Sequence, residues 1–284
     1  MRRLFLCSEP DLPSVNMRKC MVDMGGWENM DPIAGYPCMA KGDDVMLSIP
    51  DMHIRHEDLD REIQGTFRPD EVVVMSKHSA KSGQPALTAH PIGNYHENQY
   101  GGREGALVRP APAAMTDALR RIVAYNDMEG TQTCFEVTHH GPWLEIPTFF
   151  IEIGSDETNW GNMHAAEVLA KVLSDLDPDY EARKLVGVGG GHYAPRFTEV
   201  ALRFRVSFGH MLPSYQTEGR DDEDVARMVR LACEATGTDS VYVHRKSMKK
   251  PEERRITAII QSLGYETVTS ADLDPLGESR RRSR

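Results

Sequence analysis

Short, strongly apolar β-rich runs alternate with amphipathic segments along almost the whole chain, and this alternation constrains the fold more than any other feature. Residues 71–77 (EVVVMSK) and 148–154 (TFFIEIG) contain apolar runs of the length and composition that form buried strands. Between such runs, residues 195–204 repeat apolar side chains at the i, i+3, i+4, i+7 spacing of an amphipathic helix. We therefore predict an α/β fold, with a layered mixed or largely parallel sheet flanked by helices, which could comprise two sub-domains.

The same patterns assign the individual elements. Predicted strands cover residues 3–8, 44–49, 71–77, 133–139, 148–154, 185–189, 205–209, 240–245 and 266–269. Predicted helices cover residues 57–64, 113–125, 159–176, 195–204, 222–236 and 251–263. We interpret residues 1–274 as a single catalytic α/β unit and residues 275–284 as a disordered basic tail.

Two segments lack this regularity. Residues 11–43 are rich in Gly, Met and Pro and give no prediction. Residues 83–112 are dominated by Gly, Pro, Asn, His and Tyr, and a loop of that length inside a compact unit is usually functional. We expect residues 83–112 to form walls of an active site; a mobile connector is the alternative.

Composition limits the function classes. The net charge of −10 argues against indiscriminate binding to nucleic acid, because a polyanion is repelled at long range. Local basic clusters remain, among them the run 245–250, and most are expected to be solvated faces. The five cysteines show no CxxC spacing, which is typical of reduced thiols, so we expect a cytoplasmic protein. No apolar stretch approaches membrane-spanning length, so no membrane partner is expected.

The segment 187–195 (GVGGGHYAP) is the sharpest chemical signal. It follows an apolar run and precedes a helical pattern, an arrangement that directs backbone N–H groups at an anion. Gly189, Gly190 and Gly191 are therefore candidates to bind an anionic part of a substrate. His192 lies inside the loop, where phosphate binding alone needs no histidine, and this indicates acid–base or metal chemistry.

Other histidines stand at or beyond predicted strand ends, where ligands gather in α/β folds. His78 and His90 follow two apolar runs, and His210 follows a third run and a glycine. Neighbours in a strand point to opposite faces, but His139 and His140 precede a Gly-Pro turn that can rotate the second ring toward the same cleft as the first. A single histidine is more often structural than catalytic, so the interpretation depends on the group.

Glu152 is the best single acid–base or ligand candidate, because it lies within a run that reads as a buried strand. An ionised carboxylate in such a run is costly unless a metal, a cation or hydrogen-bond donors meet it. A structural ion pair is the alternative. Motifs of nucleoside-triphosphate loops (GxxxxGK[ST]), zinc proteases (HExxH) and serine hydrolases (GxSxG) do not occur.

Taken together, these segments resemble the D-aminoacyl-tRNA deacylase family of the archaeal and plant type. The resemblance spans most of the chain and excludes residues 17–43 and the arginine-rich tail. The matching blocks are residues 10–16, 76–94, 136–142, 147–155 with Trp160, 189–195, and 208–210 with Tyr215.

The resemblance implies a cytoplasmic enzyme of translation quality control that hydrolyses the ester between a D-amino acid and the 3′ end of tRNA. It also implies zinc dependence, and clustered histidines with a carboxylate suit that metal. On this basis the catalytic candidates are His140, Glu152 and His192. The implied metal ligands are His139, His140, Glu152, His192 and His210. His78 and His90 would orient the amino acid or the terminal adenosine, the glycine loop would hold a phosphate or the oxyanion, and the protein would be a monomer.

Two other classes remain open at this point. A zinc aminopeptidase or amidohydrolase acting on small molecules would need similar ligands and no RNA. A non-catalytic tRNA-binding module is less favoured, because the chain is acidic and Glu152 is expected to be buried.

Overall fold

The computed structural model describes residues 1–277 and contains two main sheets. The strands are β1 (Arg3–Ser8), β2 (Glu28–Ile33), β3 (Tyr36–Lys41), β4 (Asp44–Ile49), β5 (Glu71–Lys77), β6 (Ala86–His90), β7 (Gly93–Asn94), β8 (Ala106–Leu107), β9 (Gln132–Phe135), β10 (Thr148–Gly154), β11 (Arg183–Val188), β12 (Val206–Leu212), β13 (Ser240–Val243) and β14 (Glu266–Val268). The helices are α1 (Leu12–Asp23), α2 (Leu59–Ile63), α3 (Pro112–Tyr125), α4 (Glu157–Trp160), α5 (Met163–Ser174), α6 (Pro195–Arg203), α7 (Ser214–Thr217), α8 (Asp222–Thr236) and α9 (Lys250–Ser262). The predicted α/β class is confirmed.

The larger sheet has eight strands in the order β2-β3-β4-β1-β5-β10-β6-β9. Its centre, β4-β1-β5-β10, is parallel; β6 runs antiparallel to β10, and β9 runs parallel to β6. Alternating side chains separate two apolar layers, as a pleated strand requires. Val73 and Ile151 belong to the layer that includes α1, α3 and α5, and Val74 and Phe150 belong to the opposite layer with α2.

The smaller sheet is wholly parallel, in the order β12-β11-β13-β14. One face joins the core of the larger sheet, and the other packs on α8 and α9. From β11 the chain first goes to β12 on one side and then to β13 on the other. The strand order therefore reverses between β11 and β13, and open parallel sheets bind ligands outside the carboxyl ends of strands at such a point.

Two segments are more regular than their sequence indicated. Residues 11–43 form α1 and the β2–β3 hairpin, where Asp11 caps α1 by accepting a hydrogen bond from the Ser14 N–H. The pattern was hard to read because α1 buries polar as well as apolar side chains, and β2 is exposed over most of its length. Residues 83–112 contain β6, β7 and β8, which sequence analysis missed.

Some predicted boundaries were wrong. The strand predicted for residues 133–139 ends at Phe135, and the strand predicted for residues 205–209 continues to Leu212. The helix predicted for residues 159–176 is two helices, because Asn162 caps a new one at Met163.

At the end of the chain, Pro275 forms a bridge with Phe204, and the Leu276 N–H donates to the Arg203 carbonyl. The rest of the predicted tail, residues 278–284, lies outside the described residues. Across residues 1–277, the helices are all too short or too polar to cross a membrane. The five cysteines are free and buried.

Candidate active site

The centre of the candidate site is the carboxylate of Glu136, which is fully buried just beyond β9. Backbone pairing brings a distant segment to it: the Val137 N–H donates to the His192 carbonyl (3.0 Å), and the Ala194 N–H donates to the Phe135 carbonyl (2.9 Å). As a result, Nε2 of His192 lies 2.8 Å from Oε2 of Glu136. The pairing of the two segments therefore places His192 beside the buried Glu136 carboxylate.

A second buried carboxylate, Glu152, lies in the middle of β10 and is 2% exposed. Strand neighbours supply its partners, because β10 lies between β5 and β6. His78, the first residue after β5, has Nδ1 3.5 Å from Glu152 Oε2 and 3.1 Å from Glu136 Oε1. His90, the last residue of β6, has Nε2 3.6 Å from Glu152 Oε2. Glu152 therefore meets imidazoles, as its position in an apolar run required.

His139 and His140 face the same cavity. The backbone of His140 has φ +43°, a left-handed conformation that is uncommon for a residue with a side chain and is often found at functional sites. The rings of His139 and His140 lie 4.4 Å apart between centroids, and the ring of His90 lies 4.1 Å from that of His139. Both rings line one cavity, which is the arrangement that the sequence allowed if the Gly-Pro turn rotates His140.

The described residues contain two groups whose ligand atoms all lie within 4.8 Å of one another. The first consists of imidazoles alone, and the second contains the central carboxylate. Their members are His90, His139 and His140 in the first, and His78, Glu136 and His192 in the second. His139 Nε2 lies 3.7 Å from Glu136 Oε2, so the two groups adjoin.

The first group has the hydrogen bonding expected of metal ligands. Nδ1 of His90, His139 and His140 lies 3.1, 2.8 and 2.6 Å from a backbone carbonyl oxygen. Because a carbonyl only accepts, each Nδ1 carries a proton, which leaves Nε2 as the nitrogen that can bind a metal. His90 Nε2 is buried without a hydrogen-bond partner among the described residues. Such an unsatisfied nitrogen among imidazoles fits a zinc ion.

The electrostatics of the cluster favour charged acids and a neutral His140. Burial lowers the pKa of His90, but the Glu152 carboxylate outweighs it and raises that pKa overall, so a metal that binds His90 must displace a proton. Burial opposes ionisation of Glu136 and Glu152, but the neighbouring histidines outweigh it and lower the pKa of both carboxyls. Burial also lowers the pKa of His78, yet contacts with both carboxylates raise it overall to about 11. Burial and the nearby His90 charge lower the pKa of His140 to about 3. His140 is therefore a neutral imidazole at physiological pH, as a metal ligand must be.

A cavity of about 480 Å³ opens beside the cluster, with His139 and His140 in its wall. Residues 93–97 and 99–100 form much of the rest of its lining, in line with the expectation that the segment 83–112 walls the site. Tyr100 and Tyr215, which are 62% and 49% exposed, also line it. The cluster is therefore accessible from an aromatic-lined cavity.

His78 and His90 lie deeper than sequence analysis assumed. They are 4% and 0% exposed, and both contact the Glu152 carboxylate. This burial places His90 in the inner part of the cluster. A role for His78 and His90 in orienting the substrate stays a prediction.

The glycine loop does not present the open set of N–H donors that was predicted. The Gly189 N–H donates to the Leu212 carbonyl (2.8 Å), and the Gly190 N–H points at the hydroxyls of Ser214 (3.1 Å) and Ser247 (2.9 Å). Glycine is needed at position 189 for its backbone conformation, because φ is +106°, a value that residues with a side chain rarely adopt. Of the three, Gly191 is exposed.

His210 is not brought into either ligand group. It lies within β12, not beyond its end, and is completely buried. Its Nε2 lies 2.9 Å from the Val108 carbonyl, and its Nδ1 lies 3.0 Å from the Thr138 hydroxyl. With both nitrogens occupied, His210 fixes the turn that carries His139 and, as the structure stands, offers no lone pair to a metal.

Glu136 is a candidate functional residue that the sequence analysis did not single out. A signal was present, since the residues Cys134 to Val137 form an apolar run in which a carboxylate is as costly as it is in β10.

The family model described as D-aminoacyl-tRNA deacylase matches residues 66–268. The D-aminoacyl-tRNA deacylase of Pyrococcus abyssi is 36% identical over 94% of this chain and 99% of its own length. The protein of the same name from Methanosarcina mazei is 33% identical over 94% and 92%, respectively. The crystal structure of a conserved protein of unknown function superposes with a TM-score of 0.83 at 27% identity, covering 96% of this chain and 98% of that one.

Proposed function

Because the chain belongs to the D-aminoacyl-tRNA deacylase family, we propose that it hydrolyses the ester bond between a D-amino acid and the 3′ end of tRNA. The products are the free D-amino acid and uncharged tRNA, so the reaction serves translation quality control. One observation supports this most strongly: two buried carboxylates and five histidines converge beside a cavity that is open to solvent.

Ester hydrolysis needs a positioned water, a base and stabilisation of the oxyanion. We assign the base to His192, whose side chain is 39% exposed. Glu136 accepts the Nε2 proton of His192, which leaves Nδ1 unprotonated and able to take a proton from the attacking water. The buried carboxylate then stabilises the imidazolium that forms.

The zinc ligands in this proposal are His90, His139 and His140, because a catalytic zinc site has three protein ligands and one open position. When bound, zinc would lower the pKa of a water and polarise the ester carbonyl. Glu152 and His78 support the cluster on the side away from the cavity, because each contacts members of the cluster and neither lines the cavity.

The aromatic-lined cavity is assigned to the aminoacyl-adenosine end of the substrate. Tyr100 and Tyr215 offer exposed faces on which a base can stack, and one stacking contact contributes about 1–3 kcal/mol. A substrate held there has its ester next to His139 and His140.

Deacylation assays test this proposal against the small-molecule hydrolase alternative. The purified protein is given D-aminoacyl-tRNA, the matching L-aminoacyl-tRNA and a panel of dipeptides. We expect hydrolysis of the D-ester, little of the L-ester and none of the dipeptides, with loss on chelation and recovery with zinc. Turnover of dipeptides without turnover of D-aminoacyl-tRNA would overturn the proposal, and so would full activity after removal of all metal.

A further inference from the structure

The segment 244–250 (HRKSMKK), called the basic loop below, is a concentrated positive patch on a chain of net charge −10. Its four cationic side chains belong to exposed residues, and the segment contains no acid. Arg245 lies 3.5 Å from Glu253, whereas Lys246, Lys249 and Lys250 form no ion pair with any residue in the described part of the chain. Most of this charge is therefore available to a partner.

The basic loop lies where the smaller sheet is expected to bind ligands. It follows the carboxyl end of β13, next to the point between β11 and β13 where the strand order reverses. A cavity of about 620 Å³ opens there, lined by Arg245, Lys246, Arg196 from the first turn of α6, and the hydroxyl-bearing Ser270. Arg196 donates to the Tyr242 hydroxyl (3.0 Å) and the Ser270 hydroxyl (2.9 Å), and it pairs at 2.7 Å with Glu199, which lines the same cavity.

Hydrogen bonds join the basic loop to the segment 187–195, which carries His192. The His244 N–H donates to the Val188 carbonyl (2.8 Å), and the Gly190 N–H donates to the Ser247 hydroxyl (2.9 Å). His192 lies two residues after Gly190, which corresponds to at most about 7 Å of extended chain. One N–H group that was expected to hold an anion, that of Gly190, therefore holds the loop that carries the positive charge.

We propose that the basic loop and Arg196 bind backbone phosphates of the RNA strand that leads to the aminoacylated 3′ end. This inference rests on the proposed function, which places that 3′ end beside His192. RNA phosphates attract exposed Lys and Arg mainly through release of counterions, so a local patch is sufficient even on an acidic protein. The geometry favours a strand that passes from the basic loop, along the glycine loop, to the histidine cluster.

The test compares two double variants with equal charge changes. Lys246→Ala with Lys249→Ala removes two charges from the basic loop. Lys19→Ala with Lys184→Ala removes two exposed charges elsewhere. Lys184 lies near the amino end of β11, whereas the basic loop follows the carboxyl end of β13 in the same sheet. Deacylation of D-aminoacyl-tRNA and filter binding of uncharged tRNA are measured between 50 and about 300 mM salt, a range in which phosphate contacts change affinity strongly.

We expect the basic-loop variant to raise KM and to weaken tRNA binding, with the change concentrated in KM and not in kcat. The slope of log affinity against log salt becomes shallower by about 1.4, because each single-strand phosphate contact contributes about 0.7. The control variant keeps the wild-type slope.

An unchanged KM and salt slope in the basic-loop variant would overturn the inference, as would an equal effect in the control. Thermal unfolding of both variants separates these outcomes from misfolding. If the wild type binds uncharged tRNA through this loop but does not hydrolyse D-aminoacyl-tRNA, the proposed function fails and the phosphate site stands.

Discussion

Replacing Glu136 by Gln tests the assigned roles of the buried acid and of His192. The substitution preserves the size of the side chain and an oxygen that can accept the His192 Nε2 proton, but it removes the charge. The distance between these groups is 2.8 Å, and the carboxylate is completely buried, so solvent cannot replace the lost charge. The imidazolium that forms during proton transfer would then be poorly stabilised.

The expected loss follows from that role. A positioned base contributes about 10²–10⁴ to the rate, equivalent to about 3–5 kcal/mol of the activation barrier. We expect kcat for D-aminoacyl-tRNA to fall by an amount in this range with a small change in KM, because the interaction develops only as the proton moves. Single-turnover deacylation at saturating enzyme measures this loss directly.

Glu71 provides a matched control. It is 5% exposed and contacts Arg3 at 3.3 Å, so Glu71→Gln also removes the charge of a buried, paired carboxylate. We expect Glu71→Gln to lower the melting temperature while leaving kcat near the wild-type value. A Glu136→Gln enzyme with kcat within a few-fold of wild type would refute the reasoning, and zinc content measured on the same sample distinguishes loss of the base from loss of the metal.

Three further predictions follow from the packing around the cluster. A Cβ on Gly154 would lie 2.7 Å from Cδ2 and 2.9 Å from Cβ of His78, so Gly154→Ala should displace that ring and lower kcat at least tenfold. Gly161→Ala is the control: no heavy atom lies within 4 Å of its Cβ, so kcat and the melting temperature should stay at the wild-type values. His139→Ala should lose bound zinc as measured by elemental analysis, whereas His210→Gln should retain it; the reverse pattern would contradict the ligand assignment. Burial lowers the pKa of His210 to about 4, below the value of about 6.5 in an unfolded chain. Between those pH values the unfolded state binds more protons than the folded state, so the free energy of unfolding decreases as the pH falls, by at most about 3 kcal/mol. Urea unfolding from pH 7 to 4 should show this loss in the wild type and a smaller loss in His210→Gln; equal losses would refute it.

The local sequence pattern was sufficient to predict the strands that are buried on both faces. The strands Glu71–Lys77 and Thr148–Gly154 were predicted to the residue, because both are apolar runs with clear ends. Glu152 was found for the same physical reason, since a charge in such a run needs a partner. The helix Leu12–Asp23 was missed because its buried side includes Ser14 and Cys20, which weakens the apolar periodicity.

The site itself depends on contacts that a local pattern does not contain. His192 meets Glu136 only because residues 135–137 pair with residues 192–194, which are far apart in the chain. The family resemblance supplied the grouping of the histidines, whereas the proposed division into zinc ligands and supporting residues comes from the distances and the burial of their side chains. His210 was read as a ligand after a strand end, whereas Gly209 lies within β12, where a Cβ would lie 2.3 Å from Thr236 Cγ2. Gly209 is there for packing and does not end the strand.

The position of the metal tests the central claim most directly. Crystals of the zinc-loaded protein, measured at the zinc absorption edge, give the location of each ion independently of activity. We predict a zinc peak bounded by the Nε2 atoms of His90, His139 and His140, facing the aromatic-lined cavity. A zinc ion at His210, or full deacylase activity in protein whose crystals contain no zinc at these three histidines, would contradict the account.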